Sequence, residues 1–156
     1  MADTTGMAGK TSVKTGGAPV QDCNCAAIRQ AARHVTQFYD ETLAPSGLRT
    51  SQFSILARLA RGGPMNVNSL AAAMVMDRTT LGRNILPLQR DGLLSAAPSA
   101  ADRRSKELKL TPAGAERFRA AVRLWADAQA RFEARFGRKR AASLRGELRA
   151  VVTERF

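Results

Sequence analysis

A chain of 156 residues with 44% apolar residues is long enough to fill one compact core and leaves a surplus for a partner surface. Its 24% charged residues match globular averages and exclude wholesale disorder, and no apolar run approaches the roughly 18 residues of a membrane-spanning helix. The 25 Lys and Arg against 13 Asp and Glu give a formal net charge of +12, a surplus that draws polyanions, nucleic acid first and an anionic membrane surface as the rival.

Residues 1 to about 20 hold almost no large apolar side chain and are expected to form a disordered arm carrying Lys10 and Lys14. No apolar core of a signal peptide stands at the N-terminus, and the two cysteines, Cys23 and Cys25, are too close for an ordinary structural bridge. A cytoplasmic protein with reduced thiols is expected. From Cys25 to Leu43 the period is helical: Ile28, Ala31, Ala32, Val35, Phe38 and Leu43 form one stripe, with Asp22 as N-cap and Ala44-Pro45-Ser46-Gly47 as the stop. A second helix follows Thr50, turning Phe53, Leu56, Leu59 and Ala60 inward until Gly62-Gly63-Pro64. Asn68 or Asn66 caps a short third helix with Leu70, Ala71 and Met74. Asp77 caps a fourth, which runs to about Asp91, with Gly92 at the position after the C-cap. Pro87 lies inside it and predicts a bend, or a stop at Leu86.

The period then changes to two. Leu93–Pro98 and Ser105–Leu110 are predicted strands around the polar tip Ser99–Arg104, with Lys106, Leu108 and Leu110 on one face. Thr111 as N-cap and Pro112 at the first helical position reopen a helix whose Phe118, Val122, Trp125, Phe132 and Phe136 make a seam. A break at Gly137 precedes a last helix with Leu144, Leu148, Val151 or Val152, and Phe156. The seam and that helix present more large apolar groups than one small domain covers, so a homodimer is expected.

The third and fourth helices form a helix-turn-helix, which presents its second helix to the major groove. At 100° per residue, Leu81, Ile85 and Leu88 face the core, leaving Thr79, Gly82, Arg83, Leu86 and Arg90 outside. Arg78, in the first turn, and Arg83 suit guanine edges or phosphates, and Thr79 and Thr80 suit a phosphate or a thymine methyl. Gly82 leaves room for DNA to approach the helix. At the hairpin tip Arg103 and Arg104, with Lys106 and Lys109 behind them, suit a narrow minor groove, and Asp102 can pair with Arg104.

The run Leu70–Leu94 followed by Asp102-Arg103-Arg104-Ser105-Lys106-Glu107-Leu108-Lys109-Leu110-Thr111-Pro112-Ala113-Gly114 resembles the MarR family. The family's wing signature, Asp-x-Arg, then Leu-x-Leu-Thr and a Gly three residues on, is matched at Asp102, Arg104, Leu108, Leu110, Thr111 and Gly114. The resemblance covers about residues 23–156. It implies a mainly α fold: a winged helix-turn-helix with a short β-hairpin wing, about 50–112, and a helical dimerisation region, about 23–45 and 112–156. A single domain over 21–156 follows, paired as an obligate homodimer on a pseudo-palindromic stretch of double-stranded DNA, with Arg104 in the minor groove. Val75 stands at a turn position often held by Gly, and Gly82 where a base-contacting Ser or Thr is common.

Hydroperoxide-sensing members of that family carry a reactive Cys near the start of the first helix. Counting back from Gln52, Cys25 matches that place and Tyr39, the one Tyr of the chain, matches a thiol-partnering Tyr; Thr50 replaces their second Tyr. Cys23 and Cys25 both lie at a helix start, where the macrodipole favours negative charge. The resemblance thus implies a repressor released by oxidation of Cys25, or by a small aromatic or carboxylated effector near His34, Tyr39, Phe53 and Trp125. With two Cys and one His, no metal site is expected, and no cofactor. A thiol enzyme would need a sheet-based redox fold or a Cys-x-x-Cys pair, so no enzymatic activity is expected. A membrane-surface helix would need its basic residues along one amphipathic face, and they concentrate instead on the hairpin and the fourth helix. The alternative of another kind is a non-specific nucleoid-type DNA-binding protein.

Overall fold

The computed structural model describes residues 23–98 and 106–155. The N-terminal arm, the expected cap Asp22, the tip residues Asp102, Arg103 and Arg104, and Phe156 lie outside the described residues. The chain falls into two units, Met1–Arg33 and His34–Phe156. In the first, the described residues begin helix α1 (Asn24–Leu43) and are exposed apart from half-buried Ala26. The expected stripe is therefore uncovered at Ile28, Ala31 and Ala32; burial on α1 comes later, at Tyr39 and Leu43.

The second unit continues α1 through a 3-10 turn (Ala44–Ser46) into α2 (Thr50–Gly62), β1 (Met65–Asn66), α3 (Val67–Met74) and α4 (Arg78–Arg90). Then come β2 (Leu94–Pro98), β3 (Lys106–Leu110), α5 (Pro112–Phe136) and α6 (Arg138–Thr153). Sequence reasoning anticipates this order except for β1, whose two residues are too few to show a period. β1 lies antiparallel to β3, opposing Met65 to Leu108, and β3 pairs with β2 from Leu94 opposite Leu110 to Pro98 opposite Lys106. The order β1-β3-β2 puts Pro98 on an edge strand, where its missing N–H is harmless.

The core gathers Leu43, Leu56, Leu70, Leu81 and Leu88 with Ile55, all almost fully buried. Each such side chain contributes about 1.5–3 kcal/mol by leaving water. Ile55, which the periodicity did not turn inward, is buried, and Ala60, which it did, is exposed. Phe118 and Val122 also pack against this core, so the first turns of the predicted α5 seam serve the chain's own interior. The uncovered apolar groups begin farther along, at Trp125 on α5 and at Leu144, Leu148, Val151 and Val152 on α6.

Local chemistry sets the boundaries. Asn66 caps α3 by accepting from Ser69 N at 2.8 Å. Thr111 caps α5 by accepting from Gly114 N at 3.0 Å, while its hydroxyl reaches the Gly92 carbonyl at 2.6 Å. Helix α4 continues through Pro87 to Arg90 instead of stopping at Leu86. The ring removes one backbone bond, and Asp91 N still donates to the Pro87 carbonyl at 2.9 Å. Gly92, at φ 69°, ends α4 with N–H bonds from itself to Gln89 and from Leu93 to Leu88, a Schellman closure. Among the described residues no helix is long and apolar enough to cross a membrane.

Candidate nucleic-acid interface

Helices α3 and α4 meet at a three-residue turn, Val75-Met76-Asp77. Val75 ends α3 in the left-handed region, φ 51° and ψ 44°, and its N–H and that of Met76 bond back to Ala72 and Ala71. This is the same closure that Gly92 makes, built here with a β-branched residue that disfavours the conformation. The departure noted in the sequence is therefore a real conformational one.

Asp77 opens α4. Its carboxylate accepts from Thr80 N at 2.8 Å and from Thr80 Oγ1 at 2.6 Å. These bonds, the hydroxyl first and then the amide, hold its pKa below the ordinary carboxylate value. The Thr80 hydroxyl proton is thereby committed to Asp77. Among the described residues, Thr79 has a hydroxyl with no such engagement.

Leu81, Ile85 and Leu88 are buried, and Thr79, Arg83, Leu86 and Arg90 are exposed, as the face arithmetic requires; Arg78 is exposed as well, in the first turn of the helix. Gly82 is half-buried, and a β-carbon there would meet no atom within 4 Å. Arg78, Thr79, Thr80 and Arg83 thus occupy the first two turns of one helix, away from the core.

Two polar ties that sequence reasoning missed position this unit from α2. Ser51 Oγ donates to Asn84 Oδ1 at 2.6 Å, and Asn84 Nδ2 donates to the Thr80 carbonyl at 2.9 Å. Arg58 Nη2 donates to the Ala73 carbonyl at 2.9 Å, near the end of α3. The start of α2 is anchored in turn on α1, where Asp40 Oδ1 accepts from Thr50 N at 2.6 Å and Thr50 Oγ1 at 2.7 Å. An Asn inside a helix is the one sequence hint of the first tie, and it names no partner.

On the wing, Lys106 and Lys109 are exposed on β3, with Lys106 opposite Pro98. Gly114 brings α5 against the wing so closely that an added β-carbon would lie 2.0 Å from the Leu93 carbonyl oxygen. That contact supplies the physical reason for a glycine three residues after Thr111.

Cys23 and Cys25 are free and exposed, and His34 is exposed. Tyr39 is buried, and its hydroxyl donates to Gln129 Oε1 on α5. Burial raises its pKa, Arg145 opposing and Glu133 adding. Phe53 stacks on Trp125 at 6.1 Å and lies 5.3 Å from Phe118. Among the described residues no group of three or more His, Cys, Asp or Glu could hold a metal ion.

The MarR family profile matches residues 48–106, which run from just before α2 to the start of β3. No curated protein sequence matches the chain. Among solved structures, the M. tuberculosis transcriptional regulator MosR in complex with DNA is 36% identical, with a TM-score of 0.69, and the match covers 85% of this chain and 100% of that one. The transcriptional repressor CouR bound to a 23-mer DNA duplex is 26% identical, with a TM-score of 0.77, over 85% of this chain and 94% of that one. BpsR of Bordetella bronchiseptica, whose DNA binding is regulated by 6-hydroxynicotinic acid, is 21% identical and shares the fold, with a TM-score of 0.80 over 90% of this chain and 100% of that one.

Proposed function

The chain belongs to the MarR family of DNA-binding transcription regulators, and on that premise we propose that it is a homodimeric cytoplasmic repressor that releases a pseudo-palindromic operator when it receives a signal. Proteins of this family are dimeric regulators rather than enzymes. The observation that carries the reading is α4: Thr79 and Arg83 stand exposed opposite the buried Leu81, Ile85 and Leu88, and Arg78 is exposed in its first turn. Arg78 and Arg83 meet guanine edges or phosphates, Thr79 and Thr80 meet the backbone or a thymine methyl, and Lys106 supports the wing. On the family's pattern Arg104 enters the minor groove, and Asp102 and Arg103, its neighbours in sequence, complete the proposed tip. The uncovered Leu144, Leu148, Val151 and Val152 of α6 supply the surface for a second copy.

The signal proposed is oxidation. A hydroperoxide gives its terminal oxygen to the Cys25 sulfur and leaves as an alcohol or water, producing a sulfenic acid. Condensation with a second thiol then expels water and makes a disulfide. The free, exposed state of Cys23 and Cys25 supports this reading. A small aromatic effector is the second reading, favoured by the stack of Phe53 on partly exposed Trp125.

Binding to a selected operator and to scrambled DNA, at several salt concentrations, tests the DNA reading. A regulator prefers the operator by orders of magnitude, and Arg83→Ala weakens that binding; equal affinity for both duplexes would instead identify a nucleoid-type protein. Peroxide titration of wild type beside Cys25→Ser tests the signal, and equal loss of binding in both removes it.

A further inference from the structure

We propose that Gly82 and Leu86 make the outer face of α4 a reader of thymine methyl groups, so that base recognition has an apolar component besides the arginines. The proposal rests on α4 being the helix that enters the major groove.

Three observations carry it. First, at 100° per residue Thr79, Gly82 and Leu86 fall within an arc of about 60°, in which Thr79 and Leu86 are exposed and Gly82 is half-buried at the arc's edge. Second, Leu86 is 65% exposed. A long apolar side chain in the middle of a basic, outward face gains nothing for the free chain, and a charged residue there would serve solubility better. Third, Gly82 has no internal justification. It is helical without a positive φ, and a β-carbon would meet no atom within 4 Å, so neither backbone geometry nor packing excludes alanine. Glycine inside a helix costs stability relative to alanine. Two unfavourable choices thus sit one turn apart on the same stripe of α4, Leu86 exposed and Gly82 half-buried.

One occupant answers both. The thymine 5-methyl is the apolar feature of a major groove that otherwise shows donors and acceptors. A helix notched at Gly82 can bring its backbone closer to the base edges, and Leu86 can then lie against a methyl. Arg83 and Arg90 project on the same side of α4 and Arg78 lies in its first turn, which supplies the cations that hold phosphates while the apolar stripe reads.

The test uses the full chain and a duplex that the protein itself selects from a random-sequence pool. Each thymine is replaced in turn by deoxyuridine, which lacks only the methyl. One or two replacements per half-site are expected to weaken wild-type binding by roughly three- to tenfold. Leu86→Ala binds the parent duplex more weakly and loses that discrimination. Gly82→Ala melts at a higher temperature and yet binds more weakly, opposite signs that a merely structural glycine would not give. Indifference of the wild type to deoxyuridine at every position, or full discrimination by Leu86→Ala, overturns the proposal. Failure to select any duplex overturns the DNA reading itself, and this proposal with it.

Discussion

Ser51 Oγ and Asn84 Oδ1 lie 2.6 Å apart, a hydrogen bond that joins the first turn of α2 to the middle of α4. Asn84 also donates to the Thr80 carbonyl, so one side chain ties the exposed helix both to its support and to itself. Ser51→Ala leaves an acceptor unanswered in a half-buried place and is expected to cost about 1 kcal/mol in denaturant unfolding. Asn84→Ala should cost a similar amount. The double variant should lose much less than the sum, since either change breaks the same bond. Strict additivity would show that the two residues act separately.

Gly114 is fixed by a neighbour. Its missing β-carbon would stand 2.0 Å from the Leu93 oxygen and 3.1 Å from Leu110 Cδ2. Gly114→Ala must push α5 away from the wing base, and a loss of about 3 kcal/mol is expected, the upper end for overpacking. Calorimetry reads it, and an unchanged melting point would mean that the close approach is not maintained.

Val75 offers the opposite outcome. It holds a left-handed conformation and the residue is 72% exposed, so little packing is lost on truncation. Val75→Gly removes the steric penalty and should stabilise by about 1 kcal/mol after the glycine's greater unfolded-state entropy is counted. A destabilised variant would point to a contact that the valine makes.

Asp77 predicts a pH dependence. Its folded pKa is lowered, chiefly by the Thr80 hydroxyl, so its capping contribution is complete above the unfolded carboxylate value of about 3.9 and disappears as pH falls through the lower folded value. Asp77→Asn keeps an acceptor for the Thr80 amide but cannot titrate. The stability difference between Asp77→Ala and wild type should therefore shrink in acid, while that between Asp77→Ala and Asp77→Asn should not. Melting curves from neutral pH downward make the comparison.

Elements with long periods or strong end signals were legible in the sequence. Asn66, Asp77 and Thr111 are caps because their side chains answer amide groups within three residues, a local event that the sequence records. The buried face of α4 followed from spacing alone. What escaped is what depends on distant neighbours: β1 takes its identity from β3, and Ser51 meets Asn84 across 33 residues. The burial of Ile55 on α2 is of the same kind, since a helix that meets partners on two sides buries a wider arc than one stripe. The continuation of α4 through Pro87 shows packing of Leu88 outweighing one lost bond.

A second copy seated on the bare strip of Leu144, Leu148, Val151 and Val152 on α6 would tie the durability of the fold to abundance. If two copies share that strip, diluting the sample lowers its melting point and concentrating it raises it, since association draws molecules out of the unfolded pool. A cell holding few copies would then lose both grip on its genes and the molecules themselves, so scarcity alone would act as a second off-switch.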